Sequence, residues 1–289
     1  MKQLETVLKV FRGGYMEERK LKQIANEIRK DIIQMVHMAN SGHPGGSLSC
    51  VEILVYLYHE KMNLQEDNLK NRIDKFVLSK GHASTAYYAV LASKGYIPKK
   101  DLLSFRKIDS YLEGHPSNKI PGVDVSSGSL GQGMSVANGM ALNKKISQKE
   151  GNVYCLLGDG EIEEGQVWEA FMTSHKYNLS NVYAIIDYNG LQIDGTVESV
   201  KKLDHLFEKM TSFGFETVTV DGNSFSSIQD GFLQLKDPQK PKCIIAKTIK
   251  GNGISFMENQ VKWHGKGIND EEYMLAMEEL EKEALYEIN

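Results

Sequence analysis

The sequence predicts an α/β fold with a mostly parallel sheet flanked by helices. Two observations predict it. Short apolar runs that read as buried strands alternate with longer segments of helical periodicity. Glycine-rich turns fall at the ends of several runs, where sheets of this class bind ligands.

The elements follow in order. Residues 17–39 carry Leu21, Ile24, Ala25, Ile28, Ile32, Met35 and Val36 at helical spacing. Residues 1–16 read as a short leader, and Met16 is a second candidate start. Ser41-Gly42-His43-Pro44-Gly45-Gly46 breaks the first helix, and 47–62 predicts a second. The run 76–78 predicts a buried strand and the Ala/Tyr-rich 83–93 a helix. Small residues over 135–142 predict a tightly packed helix. Strands are expected at 153–157, 182–186, 216–220 and 243–247, with helices at 166–176 and near 224–235. The last helix, about 270–287, places Tyr273, Met277, Leu280 and Ala284 on one face and acids on the other. No repeat or linker divides the chain, so 17–289 is expected to form a single domain.

Composition narrows function. The hydrophobic fraction of 41% suffices for a full core, and the net charge of -4 gives no electrostatic case for nucleic acid. No run of 18 apolar residues predicts a membrane span. The N-terminus lacks the apolar region of a signal peptide. The three cysteines, Cys50, Cys155 and Cys243, stand far apart and form no CxxC pair. They are expected to be reduced and buried in a cytoplasmic protein.

The strongest motif is Val153-Tyr154-Cys155-Leu156-Leu157-Gly158-Asp159-Gly160-Glu161. A strand ends in Gly-Asp-Gly and a helix begins. The glycines let the backbone approach a ligand, and the Asp159 carboxylate suits a hard cation. The following helix N-terminus favours phosphate. A second strand ends in Asp187-Tyr188-Asn189-Gly190-Leu191. Asn189 offers an amide oxygen and Leu191 a backbone carbonyl. Such a set leaves room for phosphate oxygens and water around a divalent metal. A lone GDG is usually only a turn; the pairing of two strand ends favours a site. P-loop, GxGxxG-after-strand, HExxH and GxSxG signatures are absent.

Four of the eight histidines stand beside glycine: His43, His82, His115 and His264. Imidazoles in glycine-lined turns can meet a ligand and move protons near neutral pH. None has zinc-ligand spacing. Glu161, Glu163, Glu164 and Glu169 follow the GDG turn. They fit two readings equally: complements to a helix dipole, or, for Glu164 and Glu169, contacts to a partner subunit.

Together these motifs resemble the thiamine diphosphate-dependent transketolase family. SGHPGG, SKGH, GHP, SGSLGQG, KGxG and WHG occur in that family's order and cover nearly the whole chain. The resemblance implies a thiamine diphosphate-binding fold. It implies that Asp159, the Asn189 side chain and the Leu191 carbonyl hold Mg2+ or Ca2+. It places His82, Gly128, Ser129, Leu130, Gly160, Glu161, Asn189 and His264 at the cofactor. His43 and His264 would line the substrate channel, and His115 would bind the donor's hydroxyketone end. Glu164 would lie in a carboxylate network at a subunit interface. The family often has proline where this chain has Ser129, and an acid where it has Ser117, which bears on the donor contacts.

The implied reaction is ketol transfer: a two-carbon unit passes from a ketose phosphate to an aldose phosphate, with the cofactor as electron sink. A complete transketolase is roughly twice as long. The resemblance therefore implies the N-terminal subunit of a split enzyme. A C-terminal partner would carry the aminopyrimidine-binding domain and its activating glutamate, in an α2β2 assembly. The alternatives are another thiamine diphosphate enzyme (a 2-oxo acid dehydrogenase α-subunit or a deoxyxylulose phosphate synthase), a split ketol transferase for an unusual sugar, and a non-catalytic assembly subunit.

Overall fold

A computed structural model describes residues 16–64, 69 and 72–288. The expected leader lies outside the described residues except for Met16, whose backbone N–H donates to Glu60 Oε1 at 3.0 Å. Five strands, β1 (Lys75–Leu78), β2 (Val153–Gly158), β3 (Val182–Tyr188), β4 (Glu216–Asp221) and β5 (Lys242–Lys247), form one sheet ordered β1-β2-β3-β5-β4. Every pairing in it is parallel. In chain order the helices are α1 (Glu18–Ala39), α2 (Pro44–Leu48), α3 (Val51–Tyr56), α4 (Ser84–Ser93) and α5 (Gln132–Ile146). They continue as α6 (Gly165–Lys176), α7 (Val197–Val200), α8 (Leu206–Ser212), α9 (Phe225–Gln234) and α10 (Asp270–Ile288).

The period of two along each strand divides the core. Phe76, Leu78, Tyr154, Leu156, Tyr183, Ile185 and Ile244 face one layer, which holds Ile28 and Ile32 of α1, Leu54 of α3 and Phe232 of α9. Val77, Cys155, Leu157, Ala184, Ile186, Cys243 and Ile245 face the other, against Met134 and Ala137 of α5 and Val167 and Phe171 of α6. Burial on both faces is why the central strands are apolar without alternation. All three cysteines are free and buried.

The expected strands and most helices form where the periodicity places them. The segment expected as one helix over 47–62 is three pieces. Pro44 starts α2, where its missing N–H has no helical partner to lose. The chain breaks at Ser49 and Cys50, α3 follows, and Leu57–Lys61 winds as a π-helical turn. The break turns the Ser49 hydroxyl toward the sheet, where it donates to Asp187 Oδ2 at 2.5 Å. The helix expected over 135–142 is longer at both ends. Gly133 lets its first turn press on the end of β1, since a Cβ there would lie 2.3 Å from Ser79 Oγ. The α10 face is as expected: Leu280 is fully buried, and Tyr273 and Met277 pack partly buried against the core. Tyr273 also stacks on His37 at 4.3 Å. Two short helices, α7 and α8, and a hairpin of Leu191–Gln192 with Gly195–Thr196 have too few residues to show a period.

Candidate active site

Parallel pairing brings the ends of β2 and β3 side by side, with Gly158 opposite Asp187 in register. Asp159 leaves β2 at that point and is buried. Its Oδ1 accepts from the Gly160 N–H at 2.8 Å, and its Oδ2 accepts from the Gly190 N–H at 2.6 Å. The second bond crosses from one strand end to the other. Gly190 turns the chain with φ 77°, a backbone region glycine enters without strain. Asn189 Oδ1 accepts from the Leu191 N–H at 3.1 Å. The Leu191 carbonyl accepts from Lys250 Nζ at 3.0 Å. Burial, reinforced by the nearby Asp187, pushes the Asp159 carboxyl up to about 6, against the two backbone N–H groups that favour its ionised form.

A cavity of about 370 Å³ opens over these strand ends. Of the residues singled out from sequence, His82, Leu130, Asp159, Gly160, Glu161, Glu164, Asn189, Leu191 and His264 line it. His43 stands beside the cavity. Its ring lies 5.3 Å from His82 and 5.9 Å from His264, and those two rings stack at 5.2 Å. His115 packs on Gly128, where a Cβ would lie 3.5 Å from His115 Cγ. Gly128 and Ser129 are exposed and do not line the cavity; they precede Leu130, which does. Glu161 holds backbone rather than reaching outward. Its Oε1 accepts from Ser79 Oγ and from the Gly131 N–H at 2.9 Å, and its Oε2 accepts from the Gly158 N–H at 3.0 Å.

Residues 20–287 match the family described as transketolase, thiamine diphosphate binding domain. The chain belongs to the transketolase family. It is 38% identical over 267 residues to a subunit of the apulose-4-phosphate transketolase of Phocaeicola vulgatus, covering 92% of this chain and 95% of that one. It is 44% identical over 248 residues to the transketolase of Pongo abelii, covering 85% of this chain but 40% of that one. The transketolase structure from Campylobacter jejuni matches with a TM-score of 0.85 at 33% identity, over 90% of this chain and 42% of that chain. The chain thus spans less than half the length of these two transketolases and nearly all of the Phocaeicola vulgatus relative.

The transketolase domain has features that fit a metal-bound diphosphate. Among the described residues no group of three or more His, Cys, Asp or Glu could hold a metal by itself. One carboxylate, one amide and one carbonyl are an incomplete set that phosphate oxygens and water can finish. The cradle is also close-walled. A Cβ at Gly160 would lie 3.0 Å from Gln192 Cβ, and one at Gly46 would lie 3.2 Å from His82 Nε2.

Sequence reasoning missed the two lysines of this site. The SKGH and KGxG motifs drew attention to their glycines and histidine, yet Lys80 and Lys250 supply the buried positive charge. Lys80 Nζ donates to the Gly46 carbonyl at 2.7 Å and pairs with Asp187. Burial alone would lower its pKa, and the Asp187 carboxylate outweighs burial and holds it up. Burial and the charge of Lys80 bring Lys250 down to about 8. Lys250 Nζ also lies 3.0 Å from His264 Nδ1. The ammonium has only donors, so His264 accepts at Nδ1 and carries its proton on Nε2.

Burial holds five histidines low, with nearby cations adding to it, and His115 is one of them. His43 and His59 are brought to about 4, His264 to about 3, and His82 well below the ordinary range. The unfolded chain takes up these protons near 6.5 while the folded chain does not. Stability is therefore full above pH 6.5 and is lost as pH falls through that value. Burial also raises the carboxyls of Asp159, Asp31, Asp74 and Glu161, which work in the opposite sense as pH falls toward the carboxyl range, Asp159 first from about 6. The thermal midpoint of the cofactor-free chain is expected to drop by about 5 °C or more between pH 7.5 and 5.5. A midpoint that holds or rises in a melting series across those buffers would contradict this charge assignment.

Proposed function

We propose that this chain is the N-terminal subunit of a two-chain transketolase, with residues 17–289 acting as one diphosphate-binding domain. The observation that carries the reading is the pair of adjacent strand ends, Asp159-Gly160 and Asn189-Gly190-Leu191, joined by the Asp159–Gly190 hydrogen bond. Asp159, Asn189 and the Leu191 carbonyl would hold Mg2+ or Ca2+. His82, His264, Leu130, Gly160, Lys80 and Lys250 would surround the diphosphate half of thiamine diphosphate, with Gly128 and Ser129 preceding Leu130. When bound, the cofactor supplies an electron sink for breaking a carbon–carbon bond beside a carbonyl. His43, His115 and His264 would bind and orient the donor's hydroxyls and move protons at them. Glu164 would meet the partner's side of the assembly.

Relatives that are themselves subunits support a partner chain, which we propose carries the aminopyrimidine-binding domain in an α2β2 complex. The substrates would be a ketose phosphate and an aldose phosphate, and the setting cytoplasmic. Among the described residues no helix is long and apolar enough to cross a membrane.

The test mixes this chain with the product of a neighbouring reading frame that supplies the missing half. Ketol transfer is measured with thiamine diphosphate and Mg2+ over a panel of ketose phosphates, for each chain alone and for the mixture. Activity is expected only in the mixture. Full turnover by this chain alone would remove the two-chain reading. A mixture that binds cofactor but transfers nothing across the panel would point to another reaction.

A further inference from the structure

We propose that Arg106 is a positioning residue for the donor sugar, tying the turn that carries His43 to the turn that carries His115 so that the two imidazoles keep a fixed separation. The proposal rests on the transketolase reading above. Arg106 follows the turn Lys99–Ser104 and belongs to none of the motifs that mark the site.

Its contacts run in two directions. Arg106 Nη1 donates to Ser41 Oγ at 2.5 Å, and Ser41 opens the turn that leads to His43. On the other side the guanidinium lies against Gly114, the neighbour of His115. A Cβ at Gly114 would sit 2.8 Å from Arg106 Nε and 2.9 Å from Nη2. The missing side chain at 114 is therefore what admits the guanidinium to that backbone. The His115 turn is held from α4 as well, where Tyr88 Oη donates to the Glu113 carbonyl at 2.9 Å and the His115 carbonyl at 3.0 Å.

Arg106 itself has φ 57°, a conformation uncommon for a residue with a side chain. Its own N–H donates to the Leu112 carbonyl at 2.9 Å, which keeps it there. Arg106 Nε and His43 Nδ1 are both buried and without a hydrogen-bond partner. The fold thus holds a strongly polar side chain in an uncommon backbone state at the junction of two histidine turns.

The same placement sets charge. A guanidinium stays protonated at every working pH. His43 faces Arg106, His115 and Lys250, with the His82 and His264 rings beside it. His115 faces Arg106. After burial, the Arg106 charge is the foremost influence lowering both imidazoles. Both are then neutral near pH 7 and able to accept a proton or hydrogen bond from a sugar hydroxyl.

The test compares Arg106→Gln, Arg106→Lys and Gly114→Ala. The three atoms nearest to a Cβ at Gly114 all belong to the end of the flexible Arg106 side chain, so Gly114→Ala should fold and displace the guanidinium. Histidine ring titrations are read by NMR on the isolated chain. Arg106→Gln is expected to move His43 and His115 upward by roughly half a unit or more. Gly114→Ala should move them in the same direction, and Arg106→Lys should leave them near the wild type. Binding of thiamine diphosphate with Mg2+ should stay within about threefold in all three. In the reconstituted complex with xylulose 5-phosphate as donor, Arg106→Gln should raise donor KM about tenfold with kcat little changed, and Arg106→Lys should recover part of it. Unmoved titrations in both Arg106→Gln and Gly114→Ala would overturn the proposal. A wild-type complex with no ketol transfer would instead overturn the functional reading, since the titrations are measured without the partner.

Discussion

Asp159→Ala is expected to abolish Mg2+-dependent thiamine diphosphate binding, weakening it at least about 100-fold, while leaving the fold intact. Asp159 is the only carboxylate in the proposed donor set, and neither the Asn189 amide nor the Leu191 carbonyl can replace its charge. The fold survives because the ionised carboxylate is uncomfortable there. A buried acid pushed to about 6 costs the folded chain on the order of 3 kcal/mol at neutral pH. Removing it recovers that cost but strands the Gly160 and Gly190 N–H groups, each worth about 1–3 kcal/mol if left unsatisfied. The two effects offset, so the thermal midpoint should move by only a few degrees. Calorimetric titration of the variant with cofactor and Mg2+, beside a melting curve, reads both quantities. Undiminished binding would remove the metal assignment; a collapsed fold would show that the carboxylate is structural.

Asp187→Ala is expected to behave in the opposite way, destabilising the chain by about 3–5 kcal/mol, or roughly 10 °C. Asp187 is completely buried. Its Oδ2 accepts from Ser49 Oγ and Lys80 Nζ, and its Oδ1 accepts from Thr248 Oγ1. Removing it strands a buried ammonium, which costs more than the intact pair contributes. The double variant Lys80→Met/Asp187→Ala removes both charges and should recover much of the lost stability. It should not recover cofactor binding, because Lys80 lines the cavity. Chemical denaturation of the two single variants and the double variant measures the coupling directly. A double variant as unstable as Asp187→Ala alone would mean that Asp187 acts through its hydroxyl donors rather than through Lys80.

These two aspartates also mark what the sequence made legible. Asp159 stands in a Gly-Asp-Gly turn at the end of an apolar run, where strand chemistry and glycine both point to it. Asp187 is equally close to the centre, yet it ends an apolar strand with no local sign of its partners. Ser49, Lys80 and Thr248 reach it from three distant segments, and only the sheet order brings them together. The parallel sheet was readable because four of its five strands carry a continuous apolar run, while β4 shows the valine–threonine alternation of an edge strand. The break at Ser49 and Cys50 was not, since the apolar pattern continues through it and the tertiary bond from Ser49 to Asp187 overrides local periodicity. The histidines were visible through their glycine neighbours. Arg106 was invisible for the converse reason: its turn is ordinary in composition, and its importance lies in contacts to Ser41 and Gly114.

The register of Gly158 opposite Asp187 also has a kinetic side. The halves of the proposed metal site lie on strands joined by the crossover through α6, so they meet only after that crossover has closed its loop. A pairing slipped by one residue would turn the apolar residues of β3 to the wrong faces and displace Asn189 from Asp159. Metal-dependent cofactor capture should therefore appear late in refolding, after helix signals have returned, and should select the correctly registered sheet from compact competitors. The proposed cofactor site would then also act as a checkpoint on folding.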